Sequence, residues 1–93
     1  MEFLHEANRI YMTDNGGKTI AEVLFPAENG DTVNITHTVV DVSLRGQGVA
    51  GKLLEAVVEQ LILDHKKARL TCSYAIKWFG EHPEHADLVI KQN

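Results

Sequence analysis

The chain has 93 residues, of which 44% are hydrophobic and 24% are charged, a balance typical of one soluble globular domain. A formal net charge of −4 with nine dispersed lysines and arginines disfavours a nucleic-acid partner, because neutralising phosphates requires clustered basic residues. The single cysteine excludes an internal disulfide, and neither a secretory signal nor a membrane-spanning run is evident, so we expect one cytoplasmic domain over residues 1–93.

The amino-terminal third predicts strands joined by tight turns. Asn8–Thr13 and Thr19–Phe25 have strand-like composition, and Asp14–Gly17 between them contains Asn-Gly and Gly-Gly pairs that supply the positive φ angles of a hairpin. Glu28–Asp31 predicts a second turn, and the β-branched stretch Thr32–Val40 predicts another strand. An antiparallel meander is therefore expected.

From Val49 the hydrophobic period changes from two residues to about 3.6, which predicts a long amphipathic helix that ends near His65–Lys67. The expected buried stripe of this helix consists of Val49, Leu53, Leu54, Val57, Val58, Leu61 and Ile62. Ala68–Cys72 is short enough to be a strand, and it should run parallel to Thr32–Val40 because a helix separates the two. The predicted fold is thus a small α/β domain, with the meander followed by a parallel pair and the main helix packed on the sheet.

Two shorter helical segments are predicted near the carboxyl end. Ser73 is a suitable cap for a helix that ends at Gly80, and Pro83 favours a short helix or turn before Leu88–Ile90. We expect the aromatic residues of the first segment either to pack on the sheet or to line a channel: Tyr74, Trp78 and Phe79. The tail Lys91–Asn93 is expected to be loose.

The segment between the β-branched strand and the long helix is rich in glycine, and reads Arg45-Gly46-Gln47-Gly48-Val49-Ala50-Gly51-Lys52. Glycines let neighbouring N–H groups turn toward one point, and a helix beginning here adds unpaired amides and a positive dipole end. Such a turn suits a pyrophosphate. It is not a Walker loop, because Leu53 follows Lys52, and a preceding meander argues against a dinucleotide fingerprint. Glycines that serve packing alone are the alternative.

The pattern Arg45-Gly46-Gln47-Gly48-Val49-Ala50 resembles the acetyl-CoA signature of the GNAT superfamily of N-acetyltransferases. The resemblance extends from about Thr32 to Val89 and is greatest for a minimal, single-domain group. It implies a GNAT-like fold in which the amides from Arg45 to Ala50 bind the pyrophosphate of acetyl-CoA. The pantetheine arm would lie between two splayed parallel strands, against backbone groups near Val39, Val40 and Val42.

Two side chains are candidates for the chemistry. Cys72 is expected where a strand gives way to a helix, whose amides would favour the thiolate; a buried cysteine without a role is the alternative, and the resemblance implies a catalytic one. His37 alternates with Val33, Ile35 and Val39, which predicts that it shares their sheet face. There it would act as a base for the thiol or for an incoming ammonium, or be structural.

Ser73 and Lys77 complete the expected cofactor contacts. Lys77 would pair with the ribose phosphate, and an ordinary solvated lysine is the alternative. No metal site is predicted, because Pro83 disturbs the spacing of His82 and His85 and no closed ligand set accompanies them.

The resemblance thus implies an N-acetyltransferase that uses acetyl-CoA to acetylate an amine of a small molecule or protein, as a monomer or weak homodimer. Transfer would be direct or through Cys72. The alternative from another class is a non-catalytic module that binds coenzyme A or a partner protein.

Overall fold

The structure, a computed structural model, describes residues 2–90. Its strands are β1 Leu4–Glu6, β2 Arg9–Thr13, β3 Thr19–Leu24, β4 Thr32–Ile35, β5 His37–Val40 and β6 Lys67–Leu70. Its α-helices are α1 Val49–Asp64 and α2 Ser73–Gly80, and two 3₁₀ segments span Val42–Leu44 and Pro83–Leu88. The predicted meander, main helix and short carboxyl-terminal helices are all present.

The strands form two sheets that share one stretch of chain. A four-stranded antiparallel sheet has the order β1-β2-β3-β5, and β4 pairs in parallel with β6. The predicted single strand Thr32–Val40 is therefore divided at Thr36. The amide of Thr36 donates to the carbonyl of Leu24 at 3.1 Å, so the chain leaves β6 here and continues along β3.

The division at Thr36 changes which residues of this stretch face the core. Val33 and Ile35 are buried, whereas His37 is exposed and Val39 is 46% exposed. Thr38 lies opposite buried Val23 and so points inward. The prediction that His37 shares a face with Val33 and Ile35 is wrong, because the alternation of side chains is interrupted between the two strands.

Helix α1 packs on the sheet with the apolar stripe expected from the sequence. Six of the predicted positions are buried: Val49, Leu53, Leu54, Val57, Val58 and Leu61. Ile62 is 55% exposed, so its assignment to the stripe is wrong; the buried face is narrower than the pattern suggested. His65 ends the helix in the left-handed conformation, and its amide bonds to the last carbonyls.

Several boundaries differ from the prediction. Strand β6 ends at Leu70 instead of Cys72, and Cys72, not Ser73, is the N-cap of α2. The short strand β1 was not predicted, because three exposed residues carry no hydrophobic period. Trp78 and Phe79 are buried as expected. The tail Lys91–Asn93 lies outside the described residues.

Candidate active site

The parallel strands separate at one end, and this forms a fork. Pairing of β4 with β6 ends at Ile35 and Leu70. The amides of Thr71 and Cys72 both donate to the carbonyl of Ile35 at 3.1 Å, after which β5 follows β3 and α2 turns away. Among the described strands, none pairs with the other edge of β5. We call the gap between β5 and the start of α2 the fork.

The free edge of β5 presents backbone groups to the fork. The amide of Asp41 donates to Ile20 at 2.8 Å, and Val39 lies opposite Glu22 in the same ladder. Because hydrogen bonding alternates along an antiparallel strand, Asp41 and Val39 bond to β3 while the backbone groups of Thr38 and Val40 point outward.

Beyond β5 the chain makes a capped turn. The Asp41 carboxylate accepts hydrogen bonds from the Ser43 amide at 3.0 Å and the Ser43 hydroxyl at 2.7 Å. The hydrogen bond from the Ser43 hydroxyl, followed by that from the Ser43 amide, lowers the pKa of the Asp41 carboxyl. The Arg45 amide donates to the Val42 carbonyl at 3.2 Å. The turn is thus held by its own side chains and carbonyls.

The same turn leaves a cluster of free N–H groups. Gly46 and Gly48 have φ angles of +83° and +72°, which glycine adopts without strain. Within residues 2–90, the amides of Gly46, Gly48, Val49 and Ala50 have no hydrogen-bond acceptor, whereas the Gln47 amide donates to Leu44 at 3.3 Å. We call these four free amides the amide cradle. A helix N-terminus with unpaired amides binds anions.

Beside the cradle lies a cavity of about 230 Å³, lined by Val40, Leu44, Arg45, Gly46, Gly48, Val49, Ala50 and Tyr74. Burial raises the pKa of Tyr74, as does the charge of Glu81, so its phenol stays protonated at neutral pH.

Gly51 has a different role. A Cβ atom there would lie 3.4 Å from Nε1 of Trp78, so α1 lies close to α2 at this position.

Cys72 lies at the vertex of the fork. Its Sγ is 3.5 Å from Oγ1 of Thr38, and the residue is partly buried. Burial alone raises the pKa of the thiol, but the hydroxyl of Thr38 and the nearby amides of Ala75 and Tyr74 together outweigh it, and the net pKa is lowered. No capping hydrogen bond of normal geometry joins the thiol to α2, so these helix amides act as nearby dipoles.

His37 lies on the other face of β5. It lines a cavity of about 260 Å³ with Thr19, Ile20, Ala21, Glu22, Val39 and Asp41. Because side chains alternate along a strand, His37 and Thr38 point to opposite sides, and the sulfur of Cys72 contacts Thr38. The predicted pairing of His37 with the thiol therefore does not form.

The remaining predicted residues are solvent-facing. Arg45, Ser73 and Lys77 are exposed, and Val42 is 69% exposed in the 3₁₀ turn.

His82 and His85 both stack on Trp78, with ring centroids 3.9 and 5.9 Å away. Among residues 2–90, no three His, Cys, Asp or Glu side chains are grouped to hold a metal ion. No helix in that range could cross a membrane.

These features fit coenzyme A in three respects. The amide cradle offers donors to a diphosphate, the free edge of β5 offers the donors and acceptors that an amide-containing arm requires, and residues of both the turn and β5 line the cavity beside the cradle. Sequence reasoning missed Thr38, whose inward direction depends on the break at Thr36; no sequence signal marks that break.

Comparison with known proteins places these features in a family. The family model described as GCN5-related N-acetyl-transferase matches residues 9–88. Protein NATD1 of Xenopus tropicalis is 35% identical over 69 residues, which cover 74% of this chain and 63% of that protein. Human NATD1 is 33% identical over 69 residues, 74% of this chain and 61% of that protein. The match thus spans less than two thirds of these two relatives.

Solved structures show the same fold. A GCN5-like protein from Staphylococcus aureus superposes with a TM-score of 0.81 at 30% identity, over 99% of this chain and 90% of that one. A GNAT family acetyltransferase from Elizabethkingia anophelis with acetyl-CoA bound gives a TM-score of 0.61 at 16% identity, over 81% of this chain and 51% of that one; it supports the fold alone. With the family model covering most of the sequence, the chain belongs to the GCN5-related N-acetyltransferase family.

Proposed function

We propose that this chain is an N-acetyltransferase that transfers the acetyl group of acetyl-CoA to an amine. The observation that carries the proposal is that one face of β5 borders both the cavity beside the amide cradle and the thiol of Cys72. Val40 borders the cavity beside the cradle, and Thr38, on the same face of β5, touches the thiol. Two residues of a strand span about 7 Å, so the positions of β5 that border the cavity and the thiol are neighbours on one face of the strand.

The co-substrate would be held mainly by main-chain groups. The amides of Gly46, Gly48, Val49 and Ala50 would bind the diphosphate. The exposed charges of Arg45 and Lys77 would bind further phosphate oxygens. These contacts leave the thioester end free to enter the fork.

The pantetheine arm would hydrogen-bond the free edge of β5. We shift the proposed contact from Val39 to Thr38, with Val40 retained, because the backbone of Val39 faces β3. Ser73, exposed and adjacent to Cys72, would contact the arm near the thioester. Val42 would contribute only its amide, since its carbonyl accepts from Arg45.

In direct transfer, the amine would approach from the face that carries His37. The imidazole would take a proton from the ammonium, the amine nitrogen would attack the acetyl carbonyl, and the carbon–sulfur bond would break to release the coenzyme thiol. The outward amides of Thr38 and Val40 would stabilise the negative charge that develops on the carbonyl oxygen. His37 is thus proposed as a base on the acceptor side.

In the covalent route, the thiolate of Cys72 would attack the acetyl carbonyl first and the coenzyme thiol would leave. The amine would then attack the cysteine thioester and restore the thiol. The lowered pKa of Cys72 and its place at the vertex favour this route.

Titration with coenzyme A, followed by amide shifts in NMR, tests the binding step. The largest shifts are expected at Gly46, Gly48, Val49 and Ala50, with smaller ones at Thr38 and Val40. Shifts confined to another surface, or none, would remove the basis for the function. Binding without acetylation of any amine in a panel of polyamines, amino acids and lysine peptides would favour the non-catalytic module.

Intact mass after incubation with acetyl-CoA alone separates the two routes. One acetyl group that maps to Cys72 and is absent in Cys72→Ala supports the covalent route. Turnover in Cys72→Ala equal to that of the unchanged protein would restrict the chemistry to direct transfer, with His37→Gln then expected to lower turnover above all at pH values where the acceptor is protonated.

A further inference from the structure

Thr38 owes its position to the break at Thr36. The break reverses the alternation of side chains, so that Thr38 points to the core side of β5, where it lies opposite Val23, which is 0% exposed. In an unbroken strand Thr38 would point to the opposite face, with Thr32 and Asn34. The reversal sets a hydroxyl against the vertex of the fork.

The contact between Thr38 and Cys72 suits a sulfur that changes charge. Oγ1 of Thr38 lies 3.5 Å from Sγ of Cys72. A hydroxyl can accept a hydrogen bond from the thiol and, after rotation of its own hydrogen, donate one to the thiolate. The β-branched side chain restricts χ1, so Thr38 holds its oxygen in place in both states.

We propose that Thr38 is the positioning residue of this site: its hydroxyl holds the sulfur of Cys72 at the vertex of the fork and stabilises it as a thiolate. The inference rests on the proposed function, because acetyl transfer is the reaction in which the thiolate would act. Thr38 itself exchanges no atoms with the co-substrate in the covalent step. Its hydroxyl faces the sulfur, and its backbone lies on the free edge of β5.

The test uses two variants of Thr38 and one matched control. Thr38→Val keeps the shape and removes the hydroxyl, and Thr38→Ser keeps the hydroxyl. Thr36→Val makes the same change at an exposed position of the same stretch. Thermal unfolding first establishes that all three variants fold.

The rate of Cys72 alkylation by iodoacetamide is then followed against pH without coenzyme A. Thr38→Val removes a hydrogen bond to the thiolate, so Cys72 in this variant should be alkylated about tenfold more slowly at neutral pH. The midpoint of the alkylation rate against pH should move upward, and the rate at high pH should be unchanged. Thr38→Ser and Thr36→Val should keep the midpoint of the unchanged protein. An unmoved midpoint in Thr38→Val overturns the inference.

Acetyl transfer by the same variants decides between failure of the inference and failure of the function. A fall in kcat for Thr38→Val that follows the loss of thiolate, with KM for acetyl-CoA unchanged and recovery in Thr38→Ser, supports the positioning role. An unchanged kcat despite a shifted alkylation profile overturns that role in transfer. If the unchanged protein transfers no acetyl group to any amine, the proposed function fails, and the alkylation profile still decides what Thr38 does to the sulfur.

Discussion

Two turns of this chain use glycine in the same backbone conformation with opposite results. The hairpin turn Asp14–Lys18 contains Gly17 at φ +87°, and the turn after β5 contains Gly46 and Gly48 at +83° and +72°. In the hairpin turn, the Asp14 carboxylate accepts from the amides of Gly16 and Lys18, both at 2.9 Å, and its carbonyl accepts from Gly17 at 3.0 Å. In the second turn, no described residue supplies such an acceptor to the amides of the cradle.

The comparison shows that glycine content does not distinguish a structural turn from a binding one. What differs is whether the polypeptide satisfies its own N–H groups. An aspartate at the start closes the hairpin turn. In the second turn the Asp41 carboxylate accepts only from Ser43 and the Asp41 carbonyl accepts from the Leu44 amide at 3.0 Å, which leaves the amides further along the chain available. Exposed unpaired amides at a helix start are the physical basis for anion binding.

The largest expected effect is on coenzyme A binding. Gly48→Val should weaken the affinity about 100-fold, because its side chain would occupy the cradle and displace charge-assisted hydrogen bonds. Gly17→Val introduces the same residue at the same kind of φ, also with no described atom within 4 Å of its Cβ, and should leave the affinity unchanged. Isothermal titration calorimetry measures both. Equal affinities would mean that the two turns do not differ in function.

Stability should respond alike in the two turns. A valine in the left-handed region costs about 1–2 kcal/mol, so Gly17→Val and Gly48→Val should lower the free energy of unfolding by similar amounts. Asparagine tolerates this region, and Gly17→Asn and Gly48→Asn should recover most of the loss. Urea denaturation provides the values. A loss confined to one turn would show that their backbones are not equivalent.

The third glycine of the segment should behave in the opposite way. Gly51 lies within α1 and lacks a positive φ, and its nearest contact would be Nε1 of Trp78 at 3.4 Å, so a methyl group fits. Gly51→Ala should raise the free energy of unfolding by up to about 1 kcal/mol, because alanine loses less backbone freedom in a helix. Destabilisation would indicate that Trp78 cannot adjust.

The smallest effect concerns pH and the cap by Asp41. Hydrogen bonds from Ser43 lower the pKa of this carboxyl below its usual value of 3.8. The carboxylate therefore contributes stability above pH 3.8, and the contribution is lost as pH falls through the lower pKa of the folded state. The stability of Asp41→Asn should lack this pH-dependent contribution when unfolding is followed as the pH is lowered. Superposable pH profiles for Asp41→Asn and the unchanged protein would show that the cap contributes nothing.

Most of the framework was predictable because it depends on local pattern. Asp14–Gly17 specified the hairpin, and the stripe from Val49 to Leu61 specified α1. Ile62 was misassigned because periodicity does not give the width of a buried face, which depends on how closely the sheet approaches. The sequence predicts one strand over Thr32–Val40 because both halves of this stretch have the same β-branched composition. The strands that separate the halves, β6 and β3, are distant in sequence.

By itself the sequence determined the hairpin of β2 and β3, the main helix and the glycine segment that precedes it, because turn chemistry and hydrophobic period act over a few neighbouring residues. Only the tertiary structure decided that the chain breaks at Thr36, that Thr38 rather than His37 meets Cys72, and which turn amides are free. Those outcomes depend on hydrogen-bond partners supplied by strands far away in sequence, and a side chain changes faces when its backbone changes partners.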